Sequence, residues 1–139
     1  MMKMTHVLVG HTYDKASIES LFHTRFGRSM KGINLRIDKT GSPYIILFSK
    51  EQGPYDDTIQ DAILRYDGEG YQKDQTLTPA NKALKESAET GRTIHVFRKK
   101  FQDSLWTYLG IASVLGHVYR KKHGYMTYEF ILTLHAYKE

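Results

Sequence analysis

The chain has 139 residues, with 20 lysines and arginines against 15 aspartates and glutamates, seven histidines, no cysteine and a formal charge of +5. The lack of cysteine excludes disulfides, zinc–thiolate sites and thiol nucleophiles, while the basic balance mildly favours an anionic partner. The length suits one domain over 1–139, and the longest apolar runs, such as Tyr44 to Phe48, are far too short to span a bilayer, so the expectation is a soluble cytoplasmic protein.

In chain order, Asp14 can cap a helix running to about Phe26, with Ile18, Leu21, Phe22 and Phe26 on one face and Gly27 as its stop. Strands are expected at Asn34 to Asp38, Tyr44 to Ser49 and Ala62 to Tyr66. Thr78-Pro79 is a strong helix start, a hydroxyl cap followed by proline at the first position, and Gly91 is the matching stop after Ala80, Ala83, Leu84 and Ala88. Further strands follow at Thr93 to Arg98, at Leu105 to Tyr119 with a break near Gly110 or Gly116, and at Tyr125 to Tyr137. In the last, Met126, Tyr128, Phe130, Leu132, Leu134 and Ala136 alternate with Thr127, Glu129, Thr133 and His135, the period of a half-buried strand. No linker or repeat interrupts the chain. Many strands and two short helices predict an α+β domain on a curved sheet or small barrel.

Catalytic patterns are weakly represented. None of the histidines pairs at the i, i+4 spacing of a helical metal site, and there is no G-x-x-x-x-G-K-[ST] loop and no G-x-S-x-G elbow. No Asp or Glu stands two residues before a lysine, as a common metal-dependent nuclease core requires. Catalytic residues, metal ligands and cofactors are therefore not expected. The chain instead offers a constellation for holding a planar polar ring. Gly53-Pro54-Tyr55-Asp56-Asp57 and, eleven residues after Tyr55, Tyr66-Asp67-Gly68 each set a tyrosine beside a carboxylate in a turn flanking a strand. Two rings with a carboxylate between them could sandwich a base and accept its exocyclic amine. The same residues also serve as edge aromatics, turn formers and caps.

The four blocks GPYDD, LRYDGEG, DQTLTPANKAL and GRTIHVFRK, in this order and spacing, resemble the SRA (SET- and RING-associated, or YDG) domain, a reader of modified cytosine in DNA. The earlier part, HVLVGHTYDKASIESLFHTRFG followed by KGINLRIDKTGSPYIILFS, is similar to the bacterial version found beside HNH nucleases in modification-dependent restriction enzymes. The resemblance implies a PUA-like, SRA-like curved β-barrel with two or so flanking helices. It also implies a non-catalytic module that flips 5-methyl- or 5-hydroxymethylcytosine out of double-stranded DNA, with an HNH or other nuclease in a fused domain or a separate protein.

Carried over residue by residue, the resemblance makes Tyr55 and Tyr66 the rings that sandwich the base. Asp57 becomes the carboxylate on its edge, with Asp56 as rival. Backbone groups of Gln52, Gly53 and Pro54 form the wall beside the 5-substituent, although Pro54 has no N–H where the family carries glycine. Asp67 stands where eukaryotic members carry threonine, and Gly68 lets backbone approach the DNA. Asp74, Gln75 and Asn81 are expected to brace this turn against the helix start. Where eukaryotic members insert a long loop that reads neighbouring bases, only Glu69 to Lys73 remains. Phosphate contacts are expected from Arg65, Lys73, Arg92, Arg98, Lys99 and Lys100, and the run Arg120 to His123 is either a further contact or a solvated turn. Two alternatives stay open: a nuclease in its own right, and a reader of another modification such as phosphorothioate DNA or a modified RNA base.

Overall fold

A computed structural model describes residues 7–28, 30–51 and 57–136. Within it the chain forms β1 (Thr12–Tyr13), α1 (Lys15–Phe22), β2 (Ile33–Ile37), β3 (Pro43–Lys50), β4 (Thr58–Gln60), β5 (Ile63–Asp67), α2 (Pro79–Thr90), β6 (Thr93–Lys99), β7 (Trp106–Lys122) and β8 (Tyr125–Leu134).

The expected signals start both helices. The Asp14 carboxylate accepts the Ser17 N–H at 2.8 Å, and the Thr78 hydroxyl accepts that of Asn81 at 3.2 Å, with Pro79 at the first helical position. Gly91 closes α2 in the left-handed region at φ 68°. Helix α1 stops earlier than predicted, at Phe22, because His23 takes the left-handed conformation at φ 52°. The Glu19 carboxylate then accepts the Phe26 N–H at 2.8 Å, and Phe26 reaches the core from a turn, its ring 5.1 Å from that of Phe48.

The strands form one sheet in the order β2-β3-β6-β7-β8-β5-β4, with β1 added against β7. Strands β3 and β6 run parallel and the other pairs antiparallel. The expected break in β7 is absent. Its register instead shifts against β6 at Val96/Phe97, beside Gly110, and against β8 at Val114/Gly116, so the glycines mark bulges that bend a continuous strand.

That bending curls the sheet. Strands β3 and β5 lie four steps apart, about 19 Å on a flat sheet. Yet the Tyr66 hydroxyl of β5 donates to the Phe48 carbonyl of β3 at 2.9 Å. The architecture is thus the expected curved sheet with two helices among the described residues, as an open path of strands rather than the closed barrel expected.

Two apolar clusters fill its faces. One, including Ile45, Leu47, Leu64, Tyr66, Ile94 and Phe130, lies inside the curl with Ala80, Ala83 and Leu84 of α2 against it. The other, including Ile18 and Phe22 of α1, packs on the opposite face with Ile46, Phe48, Phe97 and Trp106. Both faces of β3 are covered, which is why it reads as a continuous apolar run. Among the described residues, no helix is long and apolar enough to cross a membrane.

Candidate functional site

The parallel pairing of β3 and β6 sets their C-terminal ends side by side, with Ser49 opposite Arg98. By alternation these two share the face of Leu47 and Val96, so they form the polar end of the inner cluster. Asp57, just before β4, is only 7% exposed there. Its carboxyl accepts the Ser49 hydroxyl at 3.1 Å and the Asp67 N–H at 3.2 Å. Arg98 Nη1 donates to the Ser49 oxygen at 2.8 Å, which commits the hydroxyl hydrogen to Asp57.

Burial pushes the Asp57 carboxyl up to about 7, and the nearby Asp67 charge adds to this. The Asp67 N–H, the Ser49 hydroxyl and the Arg98 charge oppose it. The result is a buried carboxyl near its midpoint at neutral pH, able to accept a hydrogen bond when ionised and to donate one when protonated. Its neighbour Tyr66 is 3% exposed, with its ring in the inner cluster and its hydroxyl on Phe48.

Asp67 faces the site with its N–H, while its carboxylate accepts Lys122 Nζ at 2.7 Å. Lys122 also donates to Glu129 at 3.0 Å, and Glu129 further accepts from Arg120 at 3.1 Å and Arg65 at 3.3 Å. Glu129 is only 3% exposed and stands directly across from Asp67 in the β5–β8 register. Burial pulls the Lys122 pKa down, but the hydrogen bonds to Asp67 and Glu129 outweigh it and leave it raised. Burial likewise raises that of Glu129, and Lys122 and Arg120 bring it below the ordinary value.

Sequence reasoning placed Lys122 only in a run that is either a further phosphate contact or a solvated turn, and gave Glu129 no role beyond strand alternation. Their signals were a basic run just before the last turn and a polar face on β8 that alternation alone assigns to solvent. The structure buries Thr127 and Glu129 on that face. Arg65, expected at phosphate, is half-exposed and engaged with Glu129.

The turn after β5 is braced as expected. Gln75 Nε2 donates to the carbonyls of Gly68 at 2.8 Å and Gly70 at 2.9 Å, and its Oε1 accepts the Tyr128 N–H at 3.0 Å. Asn81 Oδ1 accepts the Glu69 N–H at 2.8 Å, and Asp74 accepts that of Met126 at 2.8 Å. The glycine at 68 is needed for this bracing, because a Cβ there would sit 2.7 Å from Asn81 Oδ1 and 2.9 Å from Gln75 Oε1. Gly68→Ala should accordingly lose about 1–3 kcal/mol of stability. Thermal unfolding checks this, and an unchanged midpoint would mean that the two amides shift aside freely.

Of the other predicted residues, Gln52, Gly53, Pro54, Tyr55 and Asp56 lie outside the described residues. Arg98, expected at phosphate, reaches Ser49 within the Asp57 group. Lys99 Nζ lies 4.6 Å from the centroid of the Trp106 ring at the same end of the sheet, and Lys100 and Lys73 are exposed. Arg92 precedes β6, so about 20 Å of strand separates it from Arg98. A cleft lined by Tyr44, Thr93, His95 and Tyr108 also lies toward that far end. His95 within it is held neutral by burial, its pKa lowered to about 4, and its Nδ1 is 2.8 Å from the Tyr108 hydroxyl. Among the described residues no group of three or more His, Asp or Glu is placed to hold a metal ion.

Residues 9–136 match the family described as the ScoMcrA-like SRA domain. The chain belongs to this SRA family. The SRA domain is similar in fold to the SUVH5 SRA domain bound to fully hydroxymethylated CG DNA, at a TM-score of 0.77 and 24% identity, covering 100% of this chain and 96% of that one. The complex of SUVH5 SRA with hemi methylated CG DNA gives 0.75 and 25%, covering 96% of this chain and 92% of that one. A structure of the sulfur binding and SRA domains of ScoMcrA complexed with phosphorothioated DNA gives 0.67 and 26%, covering 91% of this chain and 39% of that one. None of the curated proteins matches this chain.

Proposed function

We propose that this SRA domain is a non-catalytic reader that takes a modified cytosine, flipped out of duplex DNA, against Asp57 and Tyr66. It would serve as the recognition module of a modification-dependent restriction system whose nuclease lies in a fused domain or a separate protein. The observation that carries the reading is the buried Asp57 carboxyl, held by Ser49 and the Asp67 N–H beside a tyrosine ring at the polar end of the core. A cytosine edge offers an exocyclic amine that donates and a ring nitrogen that accepts, and a fixed carboxyl in a low-dielectric site is a strong complement to it. Family membership and the relatives solved on methylated, hydroxymethylated and phosphorothioated DNA support a DNA ligand. The 5-methyl and 5-hydroxymethyl groups are the proposed modifications, with affinity from phosphate contacts and selectivity from the pocket.

A competition assay tests this, using duplexes that carry cytosine, 5-methylcytosine, 5-hydroxymethylcytosine, glucosylated cytosine or a phosphorothioate linkage. The expected result is tighter binding of the methylated or hydroxymethylated duplex than of the plain one, because the unstacking cost is recovered only when the pocket is well filled. Equal affinity for all duplexes would overturn the reading, and preference for the phosphorothioate alone would transfer recognition to the DNA backbone. Cleavage of modified DNA by the purified chain with a divalent metal would make it a nuclease instead.

A further inference from the structure

Drawing a base out of a duplex leaves a gap in the stack, and DNA-bending proteins commonly fill such gaps with an apolar wedge. We infer that Phe101, in the β6–β7 loop, is that wedge. The inference rests on the base-flipping reading and adds the side chain that acts on the DNA left behind.

Phe101 is 60% exposed, an unusual position for a phenyl ring. It follows Arg98 by three residues, so its backbone lies within roughly 10 Å of the residue that contacts Ser49 beside Asp57. Its loop is held in shape. The Lys100 N–H donates to the Asp103 carboxylate at 3.1 Å, the Asp103 N–H returns to the Lys100 carbonyl at 3.0 Å, and Gln102 turns the chain at φ 72°. At its base, the Glu51 N–H donates to the Lys99 carbonyl at 3.0 Å, fixing the loop to the end of β3. Lys99 and the exposed Lys100 precede the ring, so the tip combines an apolar point with cations suited to the flanking phosphates. In the turn after Asp67 the exposed aromatic is Tyr71, whose ring lies 6.4 Å from that of Tyr125, whereas no ring contact ties down Phe101 among the described residues.

The test compares the parent chain with Phe101→Ala and Phe101→Leu on a duplex containing one 5-methylcytosine, on the same duplex with plain cytosine, and on the methylated single strand. A separate duplex with pyrrolocytosine in place of the 5-methylcytosine reports extrusion by brightening. A wedge acts only where there is a stack to enter. Phe101→Ala should therefore bind the methylated duplex about tenfold more weakly, with a smaller fluorescence rise, and bind the single strand like the parent, while Phe101→Leu should recover part of the loss. Equal losses on the single strand and the plain duplex would make Phe101 a general surface contact and overturn the inference. So would full affinity and full brightening in Phe101→Ala beside a brightening parent, leaving the reader intact. No brightening by the parent, with no preference for the methylated duplex, would overturn the reading and the wedge together.

Discussion

Lys122→Met should lower stability by about 3 kcal/mol at neutral pH, on the order of 10 °C in the unfolding midpoint of a chain this size. The methionine keeps the length of the stem but removes the cation that Asp67 and Glu129 share, at 2.7 and 3.0 Å. Both carboxylates are nearly inaccessible, each at 3%. Breaking a buried pair from one side leaves an uncompensated charge, and this governs the size of the loss. Arg65 and Arg120 stay on Glu129, with half of each side chain in water, so the expected value sits at the low end for such a change.

The pH dependence separates charge from packing. Glu129 has a depressed folded pKa, so its contribution is present above the unfolded value and lost as pH falls through the folded one. The deficit of Lys122→Met should shrink between pH 7 and about 4.5 as Glu129, with one cation fewer beside it, takes up a proton more readily. Thermal unfolding of both proteins across that range checks it. A deficit that stays constant would show that the lysine stem, rather than its charge, stabilises this corner.

Asp57 should make the protein behave in the opposite sense. Its folded pKa is raised from 3.8 to about 7, so the folded chain holds this proton more tightly than the unfolded one. The favourable contribution is full below about pH 4 and is lost as pH climbs to about 7, with a slope approaching 1.4 kcal/mol per pH unit for a single group. Asp57→Asn carries no such charge. It should be less sensitive to pH over this window and at least as stable as the parent at pH 8, provided that its amide keeps the Asp67 N–H and Ser49 contacts.

Ligand binding adds a second readout. If the ionised carboxylate accepts a cytosine amine, log K for a methylated duplex should rise by about one per pH unit below 7 and level off above it. Asp57→Asn, which can present N–H₂ toward the amine, should lose the preference for modified over plain DNA. Affinity that falls above pH 7 would mean that protonated Asp57 donates to the ring nitrogen, and a flat profile with full selectivity in the variant would remove Asp57 from base recognition.

What the sequence disclosed was whatever is decided locally. Thr78-Pro79 and Gly91 bracket α2 because a cap, a fixed φ and a left-handed stop act over one turn of chain, and the bracing by Gln75 and Asn81 lies within fourteen residues of Gly68. Asp57 was singled out by the SRA resemblance, with Asp56 as its rival, rather than by local pattern. The end of α1 was misread because Gly27 is a generic stop, whereas His23 adopts the left-handed turn four residues earlier.

The ion group around Glu129 was hidden for a different reason. Its members, Arg65, Asp67, Arg120, Lys122 and Glu129, meet only through the β5–β8 and β7–β8 registers, and the alternation in β8 marked Glu129 as the solvent side. Nothing in composition shows that both faces of that strand are covered. The inward contact of Arg98 was hidden similarly. Its run with Lys99 and Lys100 reads as one basic patch, yet strand alternation turns Arg98 inward to Ser49.

The strand order also determines when the Asp57 corner can form during synthesis. Strand β5 leaves the ribosome about sixty residues ahead of β8, yet β8 is the strand that pairs with it and joins the β4–β5 hairpin to β7. Until Tyr125–Leu134 has emerged, the β4–β5 hairpin has an open hydrogen-bonding edge, Asp67 lacks Glu129 opposite it, and the N–H that holds Asp57 has no fixed position. The growing chain therefore cannot fix Asp57 in its observed contacts before β8 is in place. Completing the Asp57 corner thus waits on a pairing between residues far apart in the chain, rather than on the local contacts that form the helices.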